Sequence, residues 1–111
     1  MIVFNTPNKI FEVILADVIT TNQLPWIVHY EHISAENQQT FNSANGQTNS
    51  TTAVTLLSAP QAGSRKIVSS FSLYNADTVT ATATVRLNDN STMRTIVKVA
   101  LLTGDHLVYT T

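Results

Sequence analysis

The chain has 111 residues, a formal net charge of −1 and no cysteine, and only 12% of its residues are charged. This length suits one domain with a real core, and the low charge argues against a disordered chain, which needs high net charge to stay expanded. The basic residues are scattered, which argues against nucleic acid as a partner, and the absence of thiols excludes disulfide scaffolds and cysteine nucleophiles.

The N-terminal segment, about residues 1–8, is predicted to form an arm. Its first four residues (MIVF) are apolar, and a polar stretch (NTPN) separates them from the first plausible strand. Apolar surface is costly to leave in water, so the arm must fold back on its own domain or dock on a neighbour. No basic region precedes the apolar part, and polar residues interrupt it, so neither a signal peptide nor a membrane span is expected.

The next third of the chain is less regular. Residues 10–16 (IFEVILA) are apolar on both faces, which allows a buried strand or a short helix; the branched and aromatic content favours a strand. Residues 26–33 (WIVHYEHI) predict a second strand. The segment at about 34–51 carries one charge and one aromatic residue, and it is predicted to be a long polar loop at the surface or an excursion at the edge of a strand.

The second half alternates polar with small or apolar residues, the pattern of half-buried strands. Residues 80–87 and 93–101 do so on either side of Asn88-Asp89-Asn90-Ser91, a turn-forming sequence, and predict a hairpin. Further strands are predicted at 52–59, 67–74 and 106–110. Short strands at this spacing predict an all-β domain over residues 1–111, an antiparallel two-sheet β-sandwich of six to eight strands, immunoglobulin-like or jelly-roll-like.

The alternation also predicts which side chains form the core. The residues expected to be buried are Ile67, Phe71, Leu73, Ala83, Val85, Leu87, Val97, Val99 and Leu101. Along the last of these strands, the pattern places Ile96 on the opposite side, between Arg94 and Lys98.

Few residues are candidates for catalysis or for metal binding. His29 and Glu31 share one strand face while His32 points to the other, so they do not predict a metal site. Asp105 and His106 could belong to a hydrolase triad, but no Gly-x-Ser-x-Gly elbow is present, and Asp105 is better explained as a turn residue. The chain also lacks a phosphate-binding loop and a dinucleotide fingerprint. We therefore expect neither a catalytic site nor a cofactor nor a metal.

Several segments resemble a β-sandwich module that recurs in structural proteins of tailed bacteriophages. They are TAVTLLSAP at 52–60, RKIVSSFSLYNAD at 65–77, VRLNDNST at 85–92, the ending from Thr95 to Tyr109, and the opening KIFEVILADVITTNQLPWIVHYEHI at 9–33. The resemblance covers nearly the whole chain and rests on strand and turn residues. Asn90-Ser91 departs from the pattern, since the family often has glycine in that turn.

The resemblance implies a virion protein without enzymatic activity, made in the host cytoplasm. A small free-standing module implies a capsid decoration or cement protein, with the major capsid protein or tail proteins of the same virus as partners. By analogy with decoration proteins it implies a closed homo-oligomer, with a trimer favoured. The alternative is a carbohydrate- or receptor-binding module of a tail or fibre, which would need aromatic side chains exposed on one face.

The candidate protein interface combines the apolar arm with other large apolar residues that the strand pattern does not place inside. These residues are Ile2, Val3, Phe4, Trp26, Phe41 and Ile96. Trp26 is open to two explanations, because a single tryptophan on a strand belongs either to the core or to an interface.

Overall fold

A computed structural model describes all residues from Met1 to Thr111 and contains nine β-strands and no helix. The strands are β1 (Ile2–Phe4), β2 (Lys9–Leu15), β3 (Pro25–Ile33), β4 (Gln39–Gln47), β5 (Val54–Leu57), β6 (Arg65–Tyr74), β7 (Ala81–Asp89), β8 (Thr92–Leu101) and β9 (His106–Thr110). The expectation of six to eight strands was too low because β1 and β4 were not predicted as strands.

The strands form two antiparallel sheets packed as a sandwich, which confirms the predicted fold class. The five-stranded sheet has the order β1-β6-β3-β4, and β9 also pairs with β6. Since β3 occupies one side of β6, β1 and β9 share the other side, end to end. The four-stranded sheet has the order β5-β2-β7-β8. Strands β4, β5, β8, β1 and β9 are therefore the edges.

The core lies between the inner faces of the two sheets and includes fifteen buried apolar residues. Three aromatic rings join the sheets at its centre. Phe11 from the four-stranded sheet lies 5.6 Å, centroid to centroid, from both Phe4 and Phe71 of the five-stranded sheet. The contact with Phe71 is edge-to-face, a favourable arrangement for two rings. Residues 10–16, which the sequence left open between strand and helix, form most of β2.

The predicted core is largely confirmed. Phe71, Leu73, Ala83, Val85 and Leu101 are buried. Three more of the predicted residues are partly buried against the same cluster, namely Leu87, Val97 and Val99.

Ile67 was wrongly placed in the core, because a β-bulge interrupts the alternation of β6. His29 pairs with Ser70 while the next residue of β3, Tyr30, pairs with Val68, so Ser69 is an extra residue. The bulge shifts the inward positions by one, and Val68 is buried in place of Ile67.

A second bulge lies at Ile96 on β8. Val85 pairs with Val97, but the following residue, Arg86, pairs with Thr95, which leaves Ile96 as the extra residue. Arg94 consequently pairs with Leu87, on the side that strict alternation assigns to Met93 and Thr95. The predicted facing of that half of β8 was therefore wrong.

The hairpin between β7 and β8 is confirmed, and its turn is tight. Asp89 pairs with Thr92, so only Asn90 and Ser91 connect the strands. Both have positive φ, 51° and 73°. Two consecutive residues with positive φ define a type I′ turn, which matches the twist of a hairpin. The Asn88 side chain accepts a hydrogen bond from the Ser91 amide at 2.9 Å.

The segment 34–51 is not the long loop that its composition suggested, because residues Gln39–Gln47 form β4. This strand pairs with β3 over its whole length, from Pro25 opposite Gln47 to Ile33 opposite Gln39. All but one of its residues are exposed, so both of its faces meet solvent. A strand without a buried face has no hydrophobic alternation to reveal it.

The N-terminal arm folds back on its own domain. Residues 2–4 form β1, which pairs with β6 through Ile2 opposite Val68 and Phe4 opposite Lys66. The Phe4 side chain is buried in the aromatic cluster. Of the two outcomes that the sequence allowed for the arm, the structure shows the intramolecular one.

Candidate interaction surfaces

The six residues predicted as an interface lie in three different places. Phe4 and Trp26 are buried in the core, Val3 and Phe41 lie on the outer face of the five-stranded sheet, and Ile2 and Ile96 line a groove at the open edge of the sandwich. The structure therefore does not bring them together into one patch, and the expectation that Phe4 and Trp26 lie at a surface was wrong.

Trp26 is buried because its neighbour on β4 has no side chain. It stands opposite Gly46, and a Cβ atom at Gly46 would lie 2.9 Å from Cζ2 of the indole. Real Cβ atoms do not approach so closely, so only glycine lets the indole lie across β4. Trp26 is 5% exposed and is not an accessible platform for a sugar ring.

The outer sheet face is the solvent-facing side of the five-stranded sheet. Cross-strand pairing places Phe41, Glu31, Ile67 and Val3 in one row across four strands. Phe41 is 75% exposed and Val3 is 40% exposed.

A second row of the outer sheet face runs parallel to the first. Ile27 pairs with Ser72, which pairs with Val108, and both apolar residues are exposed. Single exposed apolar residues are ordinary, but apolar residues that recur across one sheet face are typical of a contact surface.

The edge groove is the second surface. It has a volume of about 280 Å³ and lies between β8 of one sheet and β1 and β9 of the other. Its nine lining residues are all apolar or aromatic: Ile2, Phe11, Phe71, Val85, Ile96, Val97, Leu107, Val108 and Tyr109. The bulge directs Ile96 to this groove. Because Val108 also belongs to the outer sheet face, the two surfaces meet at β9.

A polar cleft of about 390 Å³ lies where β3, β4 and β6 extend past β5. Tyr30, His32, Asn42 and Lys66 line it together with residues of the β5–β6 connection. The Lys66 ammonium donates hydrogen bonds to the carbonyl and hydroxyl oxygens of Ser58, both at 3.0 Å. It also lies 5.7 Å from the centroid of the Tyr30 ring, within cation–π range. Partial burial lowers the pKa of the Lys66 ammonium.

One end of the sandwich is fixed by buried polar side chains that sequence reasoning treated only as a turn. Asn75 donates hydrogen bonds to the carbonyls of Val79 and Leu101 and accepts one from the Asp77 amide. Both Asn75 and Asp77 are buried. The Asx residues of the sequence NAD were the only available signal, and they indicate a turn without indicating its burial.

At the same end of the sandwich, the side chain of Gln23 makes a second set of hydrogen bonds. Its side-chain oxygen accepts hydrogen bonds from the Thr48 hydroxyl at 2.9 Å and from the Ser50 amide at 3.0 Å. Thr48 in turn accepts a hydrogen bond from the Leu24 amide. These contacts attach the end of β4 to the segment that precedes β3.

The histidines and carboxylates do not converge. No group of three or more His, Asp or Glu side chains lies close enough together to hold a metal ion. His106 stacks on Tyr74 at 4.6 Å between ring centroids. Asp105 accepts a hydrogen bond from the Leu102 amide in the turn before β9, the role that the sequence predicted for it. The chain contains no helix that is long and apolar enough to cross a membrane.

Comparison of the chain with protein-family models, with curated proteins and with solved structures finds no match. The two apolar surfaces and the polar cleft are therefore interpreted from their own geometry.

Proposed function

We propose that the protein is a non-catalytic structural protein of a tailed-bacteriophage particle, most specifically a decoration or cement protein on the outer surface of the capsid. The observation that carries the proposal is the outer sheet face, which exposes Val3, Ile27, Phe41 and Val108 on one side of the five-stranded sheet. The resemblance of its strand and turn segments to phage structural modules supplies the biological setting.

Binding would act by covering this apolar surface. Removal of apolar area from water contributes about 25 cal/mol per Å², and a side chain as exposed as Phe41 has most of its area still to bury. The face carries few charges, so its approach to a neutral protein surface meets little electrostatic opposition. The proposed partners are the major capsid protein or tail proteins of the same virus, and the proposed oligomer is a closed trimer.

Co-sedimentation with particles tests the proposal. Particles that lack the protein would be mixed with the purified chain and pelleted. The parent should pellet with the particles, whereas Phe41→Asp and Val3→Asp should stay largely in the supernatant. Thr55→Asp is the matched control, because it adds the same charge at an exposed position of the four-stranded sheet. Equal pelleting of all four proteins would reject the outer sheet face as the contact. Failure of the parent to pellet would count against the function itself.

A second candidate function, binding of a carbohydrate during host recognition, is favoured by the polar cleft. Its volume of about 390 Å³ lies within the usual range for ligand sites. Tyr30 offers an aromatic ring, and Asn42 and Gln61 offer amides to sugar hydroxyls. A glycan array tests this function: Asn42→Ala should abolish any signal, and Asn45→Ala, on the other face of β4, should retain it. No signal with the parent would reject this candidate.

A further inference from the structure

Strand β4 is a long free edge of the five-stranded sheet. Its single neighbour is β3, and the two strands pair over nine residues without a bulge. None of the side chains of β4 is charged, and the strand contains no proline. Natural proteins protect their edge strands by shortness, charge, proline or a bulge, and β4 has none of these protections.

The other edges of the sandwich are protected. Strands β1, β5 and β9 have only three, four and five residues. Strand β8 is longer, but it carries Arg94 and Lys98 and is interrupted by the bulge at Ile96. Strand β4 is therefore the long edge at which the addition of another strand meets the least opposition.

The hydrogen bonds between β3 and β4 show which backbone groups of β4 are free. At one end of the pairing the Ser34 amide donates to the Gln38 carbonyl, and at the other end the Thr48 amide donates to the Leu24 carbonyl. Directly opposed residues of an antiparallel pair alternate between hydrogen-bonded and non-hydrogen-bonded pairs. The even-numbered residues of β4 consequently bond to β3. The N–H and C=O groups of its odd-numbered residues, from 39 to 47, point outward, away from β3.

A second copy of β4 matches these free groups. In a two-fold antiparallel pairing centred on Ser43, the middle residue, every outward-pointing residue faces another one. Ser43 faces its own copy, Phe41 faces Asn45, and Gln39 faces Gln47. Only this centre aligns the whole strand. No like charges meet in the pairing, because β4 has no charge.

The same register joins the apolar rows of the outer sheet face. Within one copy, Phe41 ends the row that contains Ile67 and Val3, and Asn45 pairs with Ile27 of the second row. Because Phe41 faces Asn45 of the second copy, the first row of each copy continues into the second row of the other. The exposed apolar residues of two copies thereby lie on one side of one sheet.

We propose that β4 binds β4 of a second copy of this chain in the antiparallel register centred on Ser43. The contact joins two five-stranded sheets into one continuous sheet of ten strands. Added strands gain affinity from main-chain hydrogen bonds and specificity from side-chain pockets. Since β4 has no charged side chain and Phe41 as its one large apolar side chain, backbone pairing is its main means of recognition. An identical strand matches it in length and in hydrogen-bond phase.

This contact is two-fold, so it is distinct from the trimer of the proposed function. Two-fold and three-fold contacts coexist in a closed assembly of six chains. The addition of a strand at an edge leaves both faces of the sheet open. The outer sheet face therefore stays available for a particle and is doubled in extent.

The mass of the full chain in solution tests the proposal. Size-exclusion chromatography with light scattering, over a series of protein concentrations, should give two chains, or six if the trimer contact also forms. Ser43→Lys places like charges opposite each other and should raise the dissociation constant of the pair about tenfold or more. Thr110→Lys is the matched control, because it adds the same charge at an exposed position of β9, on the opposite side of the same sheet. A mass of one or three chains at every concentration overturns the proposal, and so do equal effects of the two variants.

Hydrogen exchange tests the strand and its register. The amides of Phe41, Ser43 and Asn45 gain acceptors in the pairing, so their exchange should slow as the protein concentration rises. The amides of Asn42 and Ala44 already bond to β3 and should exchange slowly at every concentration. Ser43→Pro removes an outward donor but none that β3 uses, so it should abolish the slowing while the sandwich stays folded. Dimers without this alternation would contradict the assignment to β4.

The outcomes separate this inference from the proposed function. If the chain pairs through β4 but does not pellet with particles, the inference holds and the virion function is wrong. If the chain pellets with particles but has the mass of one or three chains at every concentration, the virion function stands and the inference fails.

Discussion

The carboxylate of Asp77 accepts a hydrogen bond from the backbone amide of Thr20 at 2.8 Å, although 57 residues separate them in the sequence. The same carboxylate accepts hydrogen bonds from the amides of Thr21, Asn22 and Thr78. One side chain thereby fixes the segment between β2 and β3 to the connection between β6 and β7. The amide of Thr20 makes the largest contribution to lowering the pKa of Asp77, which falls to about 2 against the opposing effect of burial.

The hydrogen bonds to the Asp77 carboxylate predict that this end of the sandwich is sensitive to acid. The pKa of Asp77 is about 2 in the folded protein and 3.8 in the absence of such contacts, so the ionised carboxylate stabilises the folded state. That contribution is complete above about pH 4 and is lost as the pH falls through about 2. Asp77→Asn should lower the free energy of unfolding at neutral pH, and its deficit should shrink between pH 4 and 2. Urea unfolding at several pH values measures this. Asp17→Asn is the control, and a constant deficit at every pH would contradict the prediction.

A cross-strand ion pair on the four-stranded sheet gives a second prediction. Nε of Arg86 lies 2.7 Å from Oε1 of Glu12, and the Glu12 side chain is 7% exposed. Arg86→Met would leave this carboxylate buried without its partner and should lower the free energy of unfolding by about 3 kcal/mol. The double variant with Glu12→Leu should recover most of the loss, because two apolar residues replace the pair. A loss below about 1 kcal/mol in the single variant would show that the pair contributes little.

The turn between β7 and β8 offers a stabilising substitution. Ser91 has φ of 73°, a conformation that costs most L-residues about 1–2 kcal/mol and glycine almost nothing. After allowance for the greater freedom of glycine in the unfolded chain, Ser91→Gly should raise the free energy of unfolding by about 0.5–1 kcal/mol. Asn90→Gly should change it less, because asparagine tolerates this region. Thermal unfolding measures both, and a lower melting temperature for Ser91→Gly would contradict the account of the turn.

Two phenylalanines, one in the core and one on the surface, give a prediction that distinguishes the two environments. Phe71 is buried against Phe11, and Phe71→Ala should lower the free energy of unfolding by about 3–5 kcal/mol. Phe41 is exposed on the outer sheet face, and Phe41→Ala should change stability by less than about 0.5 kcal/mol. Chemical denaturation measures both. A similar loss for the two variants would show that Phe41 is packed in solution and that the outer sheet face is covered.

The fold was predictable wherever one face of a strand is buried and the other is exposed to solvent. The alternation from Thr80 to Leu87 and the turn at Asn90-Ser91 identified the hairpin, because a period of two and turn chemistry agree there. Strand β4 was missed because neither of its faces is buried. Ile67 and Arg94 were misplaced because each precedes a bulge, and a single extra residue reverses the facing of what lies beyond it.

The candidate surfaces were harder to predict than the strands. The apolar residues of the arm were recognised, but their separation depends on pairing: Phe4 turns inward and Val3, its neighbour in β1, turns outward. The edge groove depends on which strands form the edges of the two sheets, and the local periodicity of a sequence does not determine strand order. Burial of Trp26 required the absence of a side chain at Gly46, twenty residues away, which no local pattern reveals.

Electron cryo-microscopy of phage particles purified from cells that produce this chain tests the proposed function most directly. Nine-stranded sandwiches should lie at symmetric positions on the outside of the particle, with the outer sheet face or the edge groove against a neighbouring subunit. Particles that lack this chain, as shown by both the density and mass spectrometry of the same sample, would contradict it.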